Sequence, residues 1–101
     1  MASFDMSVPH QLTQEEALKR IQNVLGQIKK EHSDKISNLS EKWNGNTGEF
    51  GLTVMGFDVS GKLTVTGSSV DIDAELPFAA SLFKGKIKEL IGGKAEELLK
   101  P

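Results

Sequence analysis

Three acidic side chains alternate along one short segment, at Asp71, Asp73 and Glu75. Residues two apart on a β-strand face the same side, and carboxylate oxygens are the ligands that hard cations prefer. Successive side chains on one face lie about 6.5–7 Å apart, so three of them do not enclose an ion without ligands from another element. The spacing therefore favours the solvated face of a strand, and it predicts neither a metal site nor a catalytic carboxylate pair.

The other residues with reactive side chains form no recognisable set. His10 and His32 are not spaced as a ligand pair; His32 is expected to face solvent near a helix C-terminus, and His10 to be flexible or to pack on a helix. No serine stands in a nucleophile-elbow pattern, "GGK" at 92–94 lacks the rest of a phosphate loop, and the chain has no cysteine. We therefore expect no catalytic residue, no metal and no cofactor, and hence no enzyme.

The candidate site is instead a surface, in the segment "LPFAASLFKGKIKELI" at 76–91. Its apolar residues recur at helical spacing and lysines flank them, which predicts an amphipathic helix able to lie on an apolar or anionic surface or against a partner. The same apolar residues could instead fill the core beneath a sheet, with the lysines solvated around them. The candidate surface residues are Phe78, Leu82, Phe83, Lys84, Lys86, Ile87 and Lys88.

Length and composition limit the class of protein. The chain has 101 residues, of which 38% are hydrophobic and 26% charged, as expected for one folded domain. A net charge of -2 and a pI of about 5.6 disfavour nucleic acid as a partner. The N-terminal residues lack the pattern of a secretory signal, and no apolar run is long enough to span a membrane. We therefore expect a cytoplasmic protein without a transmembrane segment.

The elements that position the candidate surface begin with a helix. Residues 1–11 have no periodic pattern, so we expect a flexible lead-in followed by a single domain over 12–101. Thr13 and Glu16 match a capping box, in which each side chain satisfies a backbone N–H of the other residue. Apolar residues then recur at helical spacing as far as Ile28, which predicts a first helix from about Gln14 to about His32.

Alternating apolar residues predict four strands between this helix and Pro77. Turns are expected at "NGN" (44–46), at 56–58 and at "TGSS" (66–69). Pro77 ends the last strand and suits the first position of a second helix. The pair Gly92–Gly93 either breaks that helix or marks a close approach to its backbone; we expect a kink or short break. The fold class is α+β, in the order α-β-β-β-β-α, with both helices on one face of a four-stranded antiparallel meander.

Several short motifs occur together in a characteristic order: "PHQLTQEEA", "WNG", "EF", "VSGKLTVT", "VDIDAELPF" and "LFKGKIKELI". In this order and spacing the chain resembles the small bacterial polyhydroxyalkanoic acid system proteins, found with polyester-granule genes, over about Pro9 to Leu99. The resemblance implies a one-domain protein with a leading helix, a meander sheet and a C-terminal helix. It also implies a role linked to storage-polyester granules, and it brings no established catalytic or ligand residues.

The chain departs from that family's usual pattern at two places. Asp58 stands where the family often has glycine before "VSG", which leaves the turn geometry there open. Leu76-Pro77-Phe78 replaces the usual L-G-[FW], which predicts a firmer change from strand to helix.

The residues and the resemblance together predict a non-enzymatic accessory protein of polyhydroxyalkanoate granules. It would bind an apolar or polymer surface through the C-terminal amphipathic helix, so that its partner is the granule surface or a granule-associated protein. Two alternatives stay open: a protein-interaction or regulatory module that acts as a homodimer, and a carrier of a small hydrophobic (acyl) ligand held between sheet and helix. The expected location is the cytoplasm, at the granule.

Overall fold

A computed structural model describes residues 2–101 of the chain. Within them, eight regular elements and one 3₁₀ segment follow one another: β1 (Ala2–Pro9), α1 (Gln14–Ile21), α2 (Val24–Glu31), β2 (Ile36–Asn44), β3 (Thr47–Val54), β4 (Phe57–Val65), β5 (Ser69–Leu76), the 3₁₀ segment (Phe78–Phe83) and α3 (Lys84–Leu98).

The strands form one antiparallel sheet in the order β1-β5-β4-β3-β2. Strands β2 to β5 are the predicted meander. Residues 2–9, predicted to belong to a flexible lead-in, form a fifth strand that pairs with β5, from Ala2 opposite Leu76 to Pro9 opposite Ser69. The predicted strand count and element order are therefore wrong. The order is β-α-α-β-β-β-β-α, because Phe4, Met6 and Val8 alternate with polar residues and extend the apolar face of β5.

The sheet has one apolar face and one polar face. On the apolar face, the buried side chains of the strands join those of all three helices in one core cluster. The polar face carries the acidic strand: Asp73 and Glu75 are exposed, and half-buried Asp71 accepts hydrogen bonds from the hydroxyls of Ser7 (2.7 Å) and Ser69 (3.2 Å). This agrees with the prediction of a solvated strand face.

The predicted first helix is interrupted at residues 22–23 and forms two helices, α1 and α2. Between α1 and α2, the N–H of Asn23 bonds the carbonyl of Arg20 at 3.1 Å, a 3₁₀-type contact. The side-chain amide of Asn23 donates to the carbonyl of Lys19 at 3.2 Å, so it competes with the helical ladder at this point. At the N-terminus of α1, the hydroxyl of Thr13 accepts a hydrogen bond from the N–H of Glu16 (3.1 Å), as predicted. The Glu16 carboxylate accepts a hydrogen bond from Nε of Arg20, so it does not close the capping box.

The β3–β4 connection is a two-residue turn at Met55–Gly56, not at 56–58 as predicted. Both residues have positive φ, 51° for Met55 and 86° for Gly56, as such hairpin turns require. Asp58 lies within β4 opposite Thr53, and its carboxylate accepts a hydrogen bond from the Thr53 hydroxyl at 2.9 Å. The sequence had left the turn geometry at Asp58 open. The left-handed conformation of Met55 costs about 1–2 kcal/mol for a residue with a Cβ.

The second helix also differs from its prediction. Residues 78–83 form the 3₁₀ segment, and α3 begins only at Lys84. It then continues without a break through Gly92–Gly93 to Leu98, so the expected kink is absent. The alternative explanation of the glycine pair, a close approach to the backbone, is correct for Gly92, which lies against the end of the Met6 side chain.

Candidate functional site

The 3₁₀ segment presents large apolar side chains to solvent. Leu82 is 92% exposed, Phe78 77% and Phe83 38%. Within residues 3–101, these three are the large apolar side chains that are exposed. Only Ala80 of this segment is buried, because its six residues make a short, tight connection from β5 to α3. We call Phe78, Leu82 and Phe83 the exposed apolar patch.

One member of the patch is anchored on the sheet. The rings of Phe83 and Phe57 have centroids 5.7 Å apart and are tilted by 35°, within the range of favourable aromatic pairs. Phe57 is the first residue of β4 and is half-buried. Phe83 therefore has a packing role, whereas Phe78 and Leu82 project freely.

The predicted lysines surround the start of α3. Lys84 and Lys86 are exposed and Lys88 is half-buried, and across residues 2–101 none of the three forms an ion pair. Positive charge in the first turn of a helix interacts unfavourably with the helix dipole, and this turn carries no acidic residue. The lysines thus add positive charge beside the patch without stabilising the helix on which they lie.

Ile87 does not belong to the surface. It is completely buried, together with Ile91, Gly92 and Ala95, and these residues form the stripe by which α3 packs on the sheet. The alternative in which the apolar stripe fills the core therefore describes α3, and the apolar surface available to a partner lies on the 3₁₀ segment before it.

A groove of about 300 Å³, which the sequence did not indicate, opens where α2 ends, β3 turns into β4, and α3 begins. The N–H of Met55 bonds the carbonyl of Lys35 at 2.8 Å and so joins the loop after α2 to the β3–β4 turn. The apolar walls come from Val54, Met55, Ile87 and Leu90. The charged or ionisable side chains at its rim are His32, Lys35, Lys86 and Glu89.

A larger and shallower depression of about 670 Å³ lies on the polar face of the sheet, over Gly61. Asp5, Asp73 and Glu75 line it together with Lys62. Its lining side chains are spread over β1, β3, β4 and β5. In the part of the chain that the structure describes, no three or more acidic, histidine or cysteine side chains are grouped so that they could hold a metal ion.

His10 has a structural environment that the sequence did not predict. The residue is buried, its Nε2 donates to the carbonyl of Thr66 (3.0 Å), and its Nδ1 accepts from the N–H of Leu12 (3.1 Å). It therefore joins the β1–α1 connection to the β4–β5 turn, rather than being flexible or packing on a helix. His32 lies at the C-cap of α2, as predicted, and is half-buried.

Two carboxylates have perturbed pKa values. The hydrogen bond from Lys94 lowers the pKa of Glu31. The pKa of Lys94 is raised by its hydrogen bonds to Glu31, the larger effect, and to Glu97. This cluster joins α2 to α3, with Lys94 Nζ 2.7 Å from Glu31 Oε1. Partial burial raises the pKa of Glu41, which lies on edge strand β2. Neither carboxylate lies in the patch or the groove.

The fold and the patch define a small α+β protein whose candidate site is a surface. The chain belongs to the family described as "Putative polyhydroxyalkanoic acid system protein", whose model matches residues 4–99. This confirms the family resemblance found in the sequence.

Other comparisons add little. No curated protein matches the chain. Among solved structures, the crystal structure of TTHA0849 from Thermus thermophilus is similar over 97% of this chain and 90% of that chain, with a TM-score of 0.32 and 11% identity. A likeness at that level carries no argument about function. Over residues 2–101, none of the helices has both the length and the apolar character needed to cross a membrane.

Proposed function

We propose that the protein is a non-enzymatic accessory protein of polyhydroxyalkanoate granules, located in the cytoplasm at the granule, and that it binds an apolar polymer surface reversibly. Membership of the polyhydroxyalkanoic acid system family supports the granule context. The observation that carries the binding mode is the 92% exposure of Leu82 beside Phe78, on a segment held against the sheet by buried Ala80. The adsorbing element is thus the 3₁₀ segment, not the stripe of α3.

The expected strength of binding follows from the apolar area available. Burying a leucine or phenylalanine side chain contributes roughly 1.5–3 kcal/mol. Phe78 and Leu82 together therefore support weak, reversible adsorption rather than irreversible insertion. Lys84 and Lys86 add affinity where the surface carries negative charge, at about 1 kcal/mol for each lysine close to an anionic surface.

The homodimer alternative is less well supported. A stable protein–protein interface needs about 800 Å² from each partner. Two exposed side chains and part of a third supply much less than this. A flat polymer surface makes no such demand, because many weakly bound molecules can cover it side by side.

The experiment is co-sedimentation of the purified protein with protein-free polyhydroxybutyrate particles, beside an unrelated acidic protein of the same size. We expect saturable pelleting of this protein only. The double variant Phe78→Ser/Leu82→Ser should lose at least about tenfold in affinity, because the apolar contribution is removed while Phe83 remains on Phe57.

A matched control changes the same segment without removing a large apolar side chain. Ala79→Ser/Ser81→Ala alters two exposed positions of the 3₁₀ segment and should pellet like the wild type. Circular dichroism checks that both double variants are folded. Equal pelleting of the two double variants would show that the patch is not the binding surface, and recovery of the wild type in the supernatant would remove the proposal.

A further inference from the structure

We infer that the groove between α2, the β3–β4 turn and α3 is a binding site for a free medium-chain carboxylic acid, with the carboxylate at the rim and the chain along the apolar walls. This site is separate from the exposed apolar patch, and the inference does not rest on the proposed granule function.

The charge at the rim favours an anionic head group. Lys35, in the loop after α2, and Lys86, in the first turn of α3, both line the groove, and within residues 2–101 neither makes an ion pair. Glu89 is the single carboxylate at the rim. The two lysines outweigh Glu89, so a carboxylate entering here meets net positive charge.

The walls favour an apolar chain. Val54 and Ile87 line the groove as buried side chains, and Met55 and Leu90 line it as half-buried ones. A volume of about 300 Å³ is at the lower end of ligand pockets, which suits one unbranched chain better than a ring system or a diacyl lipid.

The side chain of Met55 suits an adaptable wall of the groove, while the hairpin turn sets its backbone conformation. Its φ of 51° lies in the left-handed region, which asparagine and glycine adopt more easily than methionine. The thioether side chain is flexible and adapts to apolar ligands of varied shape.

The test is a titration of isotope-labelled protein with octanoate, followed by amide chemical shifts. We expect saturable shifts confined to the β3–β4 turn, the α2–β2 loop and the first turns of α3. Octanol and octylammonium keep the chain but change the head group, and acetate keeps the head group but lacks the chain. Each of the three should bind at least about tenfold more weakly than octanoate.

Variants separate the charge from the walls. Lys35→Glu and Lys86→Glu should each weaken octanoate binding about tenfold, and Glu89→Gln should strengthen it about twofold to threefold, as expected for partly screened charges. Lys84→Glu is the matched control, because Lys84 lies outside the groove, and it should leave the affinity within about twofold of wild type. Met55→Asn suits the left-handed backbone and so keeps the fold, but it removes the apolar wall and should also weaken binding.

Four results would overturn the inference. The first is the absence of saturable shifts at these residues. The second is equal binding of octanoate and octylammonium, and the third is equal weakening by Lys84→Glu and Lys86→Glu. Shifts of the same residues that depend on protein concentration without octanoate would show that a second copy of the chain covers the groove, which also contradicts the inference. Loss of polymer binding in the patch variant does not affect this test.

Discussion

The side chain of Met6 on β1 lies directly against the backbone of α3 at Gly92, so that a Cβ placed on Gly92 would come within 2.6 Å of the Met6 sulfur. Gly92 is completely covered, whereas a Cβ on the adjacent Gly93 would have nothing within 4 Å. The two glycines therefore differ in their surroundings. Gly92 lets the edge strand β1 approach α3, whereas the position of Gly93 has room for a side chain.

The two glycines should respond differently to alanine. Gly93→Ala is expected to raise the free energy of unfolding by up to about 1 kcal/mol, because alanine is the better helix former. Gly92→Ala should gain less or lose stability, since the end of Met6 must move to admit the methyl group. Urea denaturation followed by circular dichroism measures both changes.

A double-mutant cycle isolates the contact. In a Met6→Ala background the obstacle is gone, so Gly92→Ala and Gly93→Ala should have nearly the same effect. If the two single variants were equally stable in the wild-type background, the close approach of Met6 to α3 would not be the reason for glycine at position 92.

The sheet meander was accessible from the sequence because its evidence is local. Alternation along β3, β4 and β5, with "NGN" between β2 and β3, determines strands and turns from neighbouring residues. Strand β1 was missed since its alternation at Phe4, Met6 and Val8 is short, and its pairing partners on β5 are sixty or more positions away in the chain. Non-local pairing of this kind leaves no local signal.

The candidate site was predicted in part. The sequence singled out the segment from Phe78, but helical spacing could not distinguish residues that fill the core from those left exposed, because that depends on how the segment meets the sheet. Ile87 is therefore core while Leu82 is surface. The position and lining of the groove could not be predicted, since they depend on the turn at Met55 meeting Lys35 and the start of α3.

Gly61 should be the least tolerant glycine of the sheet. A Cβ there would collide with the backbone of Asp73 and Ala74, with Ala74 Cα at 2.9 Å, and with the ring of Phe50 at 2.8 Å. Because backbone atoms cannot move aside, Gly61→Ala should lower the free energy of unfolding by about 3 kcal/mol or more.

Gly51→Ala is the matched control for this prediction. Gly51 also lies within a paired strand, but its Cβ would be 3.3 Å from the rotatable hydroxyl of Ser40. We expect a change within about 1 kcal/mol in thermal denaturation. Similar losses for both variants would contradict the close packing of Phe50 on Gly61.

The two histidines should contribute very differently to stability. His10→Ala leaves the carbonyl of Thr66 and the N–H of Leu12 without their bonds to the ring, and should cost about 2 kcal/mol. His32→Ala, at the partly exposed end of α2, should change the free energy of unfolding by no more than about 0.5 kcal/mol. Chemical denaturation of the two variants side by side decides this, and equal effects would show that the ring of His10 does not hold the two connections together.

The ion cluster of Lys94 predicts a pH dependence of stability. The pKa of Glu31 is lowered in the folded protein by its bond to Lys94, so the cluster stabilises the fold above the ordinary carboxyl pKa of 4.5. That contribution is lost as the pH falls through the lowered pKa. Hydrogen bonds to Glu31, the larger effect, and to Glu97 raise the pKa of Lys94 in the folded protein. The stabilisation that results is complete below the ordinary lysine pKa of 10.5, and it is lost as the pH rises through the raised pKa.

The measurement is the urea midpoint of the wild type and of Lys94→Met from about pH 7 down to about pH 3. The wild type should be the more stable protein at neutral pH, and the difference should shrink on acidification because Glu31 becomes protonated. Burial raises the pKa of Glu41, which favours folding at low pH, but this affects both proteins equally and cancels in the difference. Lys19→Met, at an exposed position of α1, is the control and should show no such trend. A difference that persisted unchanged to about pH 3 would mean that Lys94 stabilises the α2–α3 contact through its apolar stem rather than through its charge.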